Sequence, residues 1–354
     1  MQHIIRTFTY TSLYAIIQLI HMKTLTLTLP FSRKRSVRIT SGVAAGSVAL
    51  AFTIISASTF PVFGKQLTGV FSPLSLLFVS EIMGGIFVML SFGFIPLIQL
   101  VWKLKYKQKM YLLFCGIITG VISPYMWFLG LSQTTAINAE LFSRAEAIFL
   151  IGFSAIFLRE SISRKQISAL SIIFLGVAYV ALKGFSVGFA LQIGDMLIIA
   201  SSFLYAIGGI IVKKYLHNVH PEAIIIMRAF LATLLFVIFS VFLTHNVMAE
   251  LKNMDSTLIT VLLCYGFITK FLGIYCFHEA IERLKIATVS MIGTLSIVGG
   301  MAFAAMYLGE SIHSYQIIGG TLVVVGVVLM QYFGVHSTPK AHKHHIRSHH
   351  RNRL

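Results

Sequence analysis

Charge is scarce in this chain. Only 11% of its 354 residues are Asp, Glu, Lys or Arg, against about 25% in an ordinary soluble domain. Acids are scarcer still: there are eleven, and none precedes Glu81. A composition that is 57% apolar with a mean hydropathy of +0.86 excludes a soluble globular protein and fits a membrane bundle. Cysteine is nearly absent. Cys115, Cys264 and Cys276 all lie in apolar runs, too few and too scattered for a disulfide framework or a zinc site. Long polar connections are missing as well: none between residues 41 and 334 exceeds roughly a dozen residues, which leaves no room for an inserted soluble catalytic domain. Walker A, HExxH and GxSxG patterns are absent from the apolar stretches, so neither ATP-driven work nor intramembrane hydrolysis is expected.

What is present is a series of long apolar runs. Ten spans are read at about 41–63, 72–96, 110–131, 134–158, 166–183, 191–212, 221–244, 257–278, 286–308 and 315–334, each near the length needed to cross a bilayer. The net charge of +17 could point to nucleic acid in a soluble protein; here the placement of the charges decides otherwise. Counting on alternate sides of the ten spans, 22 Lys and Arg fall on one side and only Lys65, Lys183 and Lys252 on the other. This asymmetry predicts both termini in the cytoplasm, with no nucleic-acid partner.

The second half of the chain repeats the first. Phe157–Ala181 (FLRESISRKQISALSIIFLGVAYVA) and Tyr307–Gln331 (YLGESIHSYQIIGGTLVVVGVVLMQ) share eight of 25 positions at an offset of 150, among them Glu160/Glu310, Gln166/Gln316 and Gly176/Gly326. Lys65 and Pro73 match Lys213 and Pro221 at an offset of 148. Five spans per half is an odd number, so the copies enter the membrane in opposite senses. That is the inverted-topology repeat of secondary transporters, whose site lies between the halves. The reading is an all-α integral membrane fold: a basic cytoplasmic segment over 1–40, five-helix repeats over 41–183 and 191–334, and a basic, His-rich cytoplasmic tail over 335–354.

The ends are read from composition. Leu13–Met22 is apolar but too short to span, and Phe31–Arg38 (FSRKRSVR) is basic where a signal peptide would carry small residues. A transit peptide and a working start at Met22 remain alternatives to a basic leader lying on anionic lipid headgroups. The tail Lys340–Leu354 (KAHKHHIRSHHRNRL) reads as a solvated, lipid-attracted segment rather than a metal site, since such runs impose no coordination geometry.

The segment Phe128–Leu182 carries a family likeness. Thr134, Thr135, Ala136, Asn138 and Ala139 open a helix; an apolar stretch follows and ends in Leu158-Arg159-Glu160-Ser161; a short basic turn and Gln166 lead to a glycine-bearing helix. This resembles the EamA family of the drug/metabolite transporter superfamily. Ile286–Met330 repeats the pattern with Leu308-Gly309-Glu310-Ser311, and Gly194-Asp195 looks like the family's start of a second repeat. The resemblance covers about 41–334. It implies ten helices, the passage of small metabolites or drugs, often by proton exchange or facilitated passage, and no bound cofactor. One departure stands out. Family members often carry proline midway along the fourth and ninth spans, where this chain has Glu146-Ala147 and Ser296-Ile297. It thus lacks the residue that would free backbone groups and bend those helices.

Charge inside a bilayer costs from roughly 2.5 kcal/mol upward per group, so such residues are the first functional candidates. Near the midplane lie Glu81, Arg144 and Glu146, with Glu140 about one turn from Arg144; Arg228 and Lys270 lie nearer the cytoplasmic side. Glu140 and Arg144 share a helix face and are expected to pair. Glu146, about 160° round the helix from Arg144, needs another partner: Glu81, Arg228 or Lys270. Low-dielectric surroundings favour a neutral carboxyl, which can load and release a proton; Glu81 and Glu146 are the proton-coupling candidates. Arg144 and Arg228 are candidates to hold a substrate carboxylate or phosphate. The plain alternatives are an Arg228–Glu81 pair and a Lys270 that snorkels to the surface. Tyr125, Trp127, Tyr265, Tyr275 and Thr294, with Ser290, are candidates to line a cavity for a small, partly apolar substrate. Glu160 and Glu310 are expected to cap the helix that follows each. The glycine pairs 84–85, 208–209, 299–300 and 319–320 let helices approach closely.

The expected activity is secondary transport of a small organic molecule in the cytoplasmic membrane by alternating access, outward, with proton exchange or facilitated passage as the two modes. The rivals are a translocase of lipid-linked substrate and a non-transporting adaptor or sensor using the tail. A homodimer is compatible with the sequence, and the acid-free leader leaves an organelle open.

Overall fold

The computed structural model describes residues 36–159, 162–185, 192–242, 247–252, 254–284 and 286–336. The basic leader before Ser36, Glu160, the side chain of Ser290 and the His-rich tail lie outside the described residues. Those described are helical, with no strand among them. In chain order the helices are α1 (Ser36–Leu67), α2 (Pro73–Phe92), α3 (Phe94–Trp102), α4 (Tyr106–Ile117), π1 (Ile118–Ile122), α5 (Ser123–Ser132), α6 (Ala136–Phe142), α7 (Ala145–Phe157), α8 (Arg164–Ala181), α9 (Ile193–Tyr215), α10 (Pro221–Phe242), α11 (Val247–Lys252), α12 (Ser256–Cys264), π2 (Tyr265–Leu272), α13 (Gly273–Arg283), α14 (Ile286–Gly293), α15 (Leu295–Leu308) and α16 (Ser314–His336). Among the described residues, seven helices are long and apolar enough to cross a membrane. Two of these seven are continuous runs through α4–π1–α5 and through π2.

Local chemistry sets the ends. Ser72 caps α2 by accepting from the Ser75 N–H, with Pro73 as its first residue, where the missing donor costs nothing. The helix stops at Gly93, whose φ of +81° is open to glycine without strain. The second predicted span is therefore shorter than expected: it ends at Phe92, and residues 94–102 form a separate helix. Thr135 caps α6, Ser163 and Gln166 form a capping box on α8, and the Asp255 carboxylate accepts the Leu258 N–H.

The fourth and ninth predicted spans are each two helices. The break between α6 and α7 falls at Ser143–Arg144, and that between α14 and α15 at Thr294, 150 residues after Arg144. The regular α-helical bonding is thus interrupted where the prolines are missing, and other residues interrupt it. Ser143 Oγ donates to Ala139 O at 2.6 Å, a back-bond that bends helices. The chain then tightens: Arg144 N bonds Leu141 O, Glu146 N bonds Ser143 O and Ala147 N bonds Arg144 O, all three residues back. Ile297 N bonds Thr294 O in the same way. The π segments also recur at this offset. Thr119 Oγ1 donates to Cys115 O in π1, and Thr269 Oγ1 to Tyr265 O in π2. Short π segments inside α-helices concentrate at functional sites.

Small residues hold the helices together, because apolar burial drives little association in lipid. The α8–α16 crossing shows it most clearly. A Cβ on Gly176 would lie 2.7 Å from Gly319 O, and one on Gly326 would lie 2.6 Å from Ile173 Cγ1. A large buried cluster, including Trp127, Phe128, Phe142, Tyr265 and Ile297, fills the centre and carries the polar groups described next.

Candidate functional site

Six ionisable side chains meet inside the bundle in two groups. In the first, Glu81 on α2 is 4% exposed. Arg228 Nη2 on α10 donates to its Oε1 at 2.8 Å, and Lys270 Nζ on π2 donates to the same oxygen at 3.0 Å. Each partner is admitted by a glycine: a Cβ on Gly120 of π1 would lie 2.8 Å from Arg228 Cβ, and one on Gly84 would lie 3.4 Å from Lys270 Cβ. The Lys270 ammonium also lies over three rings, 5.8 Å from the Phe60 and Phe128 centroids and 6.0 Å from that of Tyr265. This corrects the snorkelling expectation. With a carboxylate one helix away and aromatic faces around it, the ammonium is satisfied in place. Two cations on one carboxylate leave this group with a surplus positive charge.

The second group lies at the broken helices. Arg144 Nη2 bonds Glu140 Oε1 and reaches Ser296 Oγ on α15 at 3.4 Å. Ser58 Oγ on α1 donates to Ser296 O at 3.2 Å. Glu140 and Arg144 thus sit where the two broken helices come together. The carboxyl group of Glu146, in the first turn of α7, makes no hydrogen bond or ion pair among the described residues; Arg144 is the cation within its electrostatic reach. The partners expected for it, Glu81, Arg228 and Lys270, are instead bonded to one another. Three buried polar atoms here have no hydrogen-bond partner among the described residues: Arg144 Nε, Arg228 Nε and the Tyr265 hydroxyl. Buried polar groups are normally paired, so these are atoms with bonding capacity to spare.

The aromatic candidates divide. Trp127 is buried, donates from Nε1 to Ser143 Oγ at 3.2 Å and packs on Phe60 with centroids 4.5 Å apart. Tyr265 is fully buried and also stacks on Phe60, at 5.8 Å. Thr294 is buried at the α14–α15 break. Tyr275 stacks on Phe271 at 6.2 Å. Tyr125 instead faces outward, lining an apolar side groove with Phe78, Val121 and Phe236. Tyr205 on α9 was missed: it lies within electrostatic reach of Arg228, Glu81 and Glu146. A tyrosine in an apolar run gives no signal of that. Ser296 was legible, since it stands 150 residues after Glu146.

A latch closes one end of the bundle. Glu310 Oε1 accepts the Ala136 N–H at 2.7 Å and Oε2 the Ile137 N–H at 3.0 Å. Gln316 Nε2 donates to Asn138 Oδ1 at 2.7 Å. Glu310 therefore caps α6, from the other half of the chain; the helix that follows it, α16, is served by Gln316, whose Oε1 accepts the His313 N–H. The expectation of a cap on the following helix is corrected: both Glu310 oxygens are taken by free amides of α6. Thr134 Oγ1 donates to Asp195 Oδ1 at 2.5 Å at the same end. Among the described residues no cluster of three His, Cys, Asp or Glu is placed to hold a metal.

Comparison with known proteins gives a consistent picture. The model of the EamA-like transporter family matches residues 44–182 and 192–332. A protein of Salmonella typhimurium named a probable amino-acid metabolite efflux pump is 27% identical over 196 residues, 54% of this chain and 66% of that one. A transporter of Methanothermobacter thermautotrophicus is 24% identical over 236 residues, 66% of this chain and 67% of that one. The chain thus spans about two thirds of the length of these relatives. A solved crystal structure aligns over 83% of this chain and 98% of its own, with a TM-score of 0.55 and 15% identity, a likeness of fold alone.

Proposed function

The chain belongs to the EamA-like transporter family and is a multi-pass integral membrane protein; from this we propose that it carries a small organic metabolite across the cytoplasmic membrane by alternating access. The observation that carries the proposal is the meeting of two broken helices from opposite halves at Arg144 and Ser296, 3.4 Å apart. Broken helices facing one another near mid-membrane are where secondary transporters hold their substrates. Ten crossings, arranged as inverted repeats with both termini cytoplasmic, would put this meeting point on the pseudo-two-fold axis. The 22-to-3 distribution of Lys and Arg supports that orientation.

In this reading the two groups of charges divide the work. Arg144 and Arg228, each with an unpartnered Nε, offer donors to an anionic part of the substrate. Glu146, unpaired, is the proton carrier or the receptor of a substrate cation; Glu81 is tied to two cations and keeps Arg228 in position. Trp127, Tyr265 and Thr294 supply the walls. The bonds from Glu310 to α6 hold the extracellular end closed. Movement is outward, by analogy with relatives named as efflux pumps.

A second reading, translocation of a lipid-linked substrate, draws on the side groove of about 300 Å³ beside Tyr125. Its lining holds no charged residue, whereas the charges that need a function lie inside, so the small-metabolite reading is preferred. Counterflow into proteoliposomes preloaded with candidate metabolites tests it. Uptake driven by internal substrate, and lost in Arg144→Met, supports the reading; transfer of lipid-linked substrate alone supports the rival.

A further inference from the structure

The short helix α3 has two faces with different needs. Leu97 is 3% exposed and packs into a buried cluster with Val88, Phe271 and Val289. The opposite side is bare: Ile95 is 67% and Trp102 76% exposed, while Phe94, 60% exposed, lies on the groove side. Between its buried side and helices α2 and α10 runs a groove of about 380 Å³, lined by Ile82, Gly85 and Ile86, by Leu97 and Ile98, and by Phe230. The groove asks for no hydrogen bonds. The hydroxyl of Thr233, its one polar side chain, already donates to Ala229 O at 2.8 Å.

Directly after α3 comes a cationic run. Lys103, Lys105 and Lys107 are exposed, and Lys109 lies over the Trp102 ring at 5.9 Å. None of the four has a carboxylate within ion-pairing distance among the described residues. The sequence offers none nearby either: no Asp or Glu stands between Glu81 and Glu140. An apolar groove without polar demands therefore runs beside a helix that leads into four uncompensated positive charges.

We propose that the α2–α3–α10 groove and the Lys103–Lys109 run together form a binding site for an anionic glycerophospholipid. One acyl chain lies in the groove, and the phosphate-bearing headgroup is held by the lysines. The proposal rests on the chain's place in a membrane and not on what it transports. A free phosphate would use the lysines and ignore the groove; a zwitterionic lipid would use the groove and gain little from the lysines. Only a ligand with both parts uses both. A lysine near a membrane surface contributes about 1 kcal/mol toward anionic lipid, roughly a fivefold preference each when fully engaged.

Trp102, under the Lys109 ammonium, reports on lipid gathered at the lysine run. The chain has two tryptophans, and Trp127 is buried at 5% exposure, so subtracting the emission of Trp102→Phe isolates the Trp102 signal. The full-length protein is reconstituted in phosphatidylcholine vesicles carrying either brominated phosphatidylglycerol or brominated phosphatidylcholine at equal mole fraction. The expected result is Trp102 quenching at least about fivefold more effective with the glycerol lipid. This ratio falls below about two in the K103Q/K105Q/K107Q/K109Q variant, while quenching by the choline lipid is unchanged. Equal quenching by the two lipids in the parent overturns the proposal, and this arm stands even where the fourfold variant fails to fold. Inorganic phosphate is the competitor: if it removes the preference as effectively as unlabelled phosphatidylglycerol does, the lysines are an ion site and the groove has no part. The readout needs no transport, so a failure here is separate from a failure of the transport reading.

Discussion

The carboxylate of Glu310 accepts the backbone N–H of Ala136 at 2.7 Å, joining positions 174 residues apart. Its second oxygen takes the next amide, Ile137. Four amides at a helix start lack intrahelical partners, and here an acid from the other half of the chain serves two of them.

Removing that acid should be felt. Glu310→Ala leaves both amides unserved and is expected to cost about 1–3 kcal/mol. Glu310→Gln keeps one acceptor and costs less. Thermal unfolding of the detergent-solubilised protein checks the order parent, Gln, Ala. An Ala variant as stable as the parent would remove the latch from the account.

The Glu81 cluster makes a coupling prediction. Glu81→Gln strands Arg228 and Lys270 as unpaired buried cations, and breaking a buried ion pair from one side costs about 3–5 kcal/mol. Adding Lys270→Met to Glu81→Gln removes one stranded charge, so the double variant should be more stable than Glu81→Gln alone. A double-mutant cycle on the thermal midpoint checks it; strict additivity contradicts a shared oxygen.

Two glycines of one sequence type should behave oppositely. Gly176→Ala drives a methyl into Gly319 O, which lies 2.7 Å away, and should cost about 1–3 kcal/mol. Gly152→Ala meets nothing within 4 Å and should be neutral or gain up to about 1 kcal/mol from helix propensity. Unfolding of the two variants side by side distinguishes close approach from a general intolerance of alanine.

Much of the helical frame was legible because lipid forces every span to be long, apolar and internally bonded. The Glu140–Arg144 spacing of four residues gave that contact, since it depends on one helix face alone. The rest depended on what one helix presents to another, which a single sequence does not encode locally. Lys270 looked like a surface-seeking lysine until Glu81 was found beside it. The breaks at Arg144 and Thr294 were hidden because Ser143 back-bonding and three-residue turns carry no signature as plain as proline. The end of α2 at Gly93 was readable in principle, but a glycine among so many apolar residues did not stand out. Glu310 was rightly placed at a helix end, yet the helix it caps comes from the opposite half.

Glu146 has the sharpest functional prediction. Glu146→Gln removes the one carboxylate of the two central charge groups that lacks a hydrogen bond or ion pair among the described residues. It should abolish substrate-driven proton movement while leaving substrate counterflow within about threefold of the parent, in keeping with a group acting in proton transfer alone. Loss of both would make Glu146 a substrate contact instead.

The most direct test of the account is substrate counterflow in proteoliposomes of the purified full-length protein. Vesicles are preloaded in turn with amino acids, carboxylates and organic cations, and the matching labelled compound is added outside. The account predicts transient accumulation of at least one small metabolite, absent from empty vesicles and from vesicles bearing Arg144→Met. Binding of such a metabolite to the folded parent protein without any counterflow would contradict it.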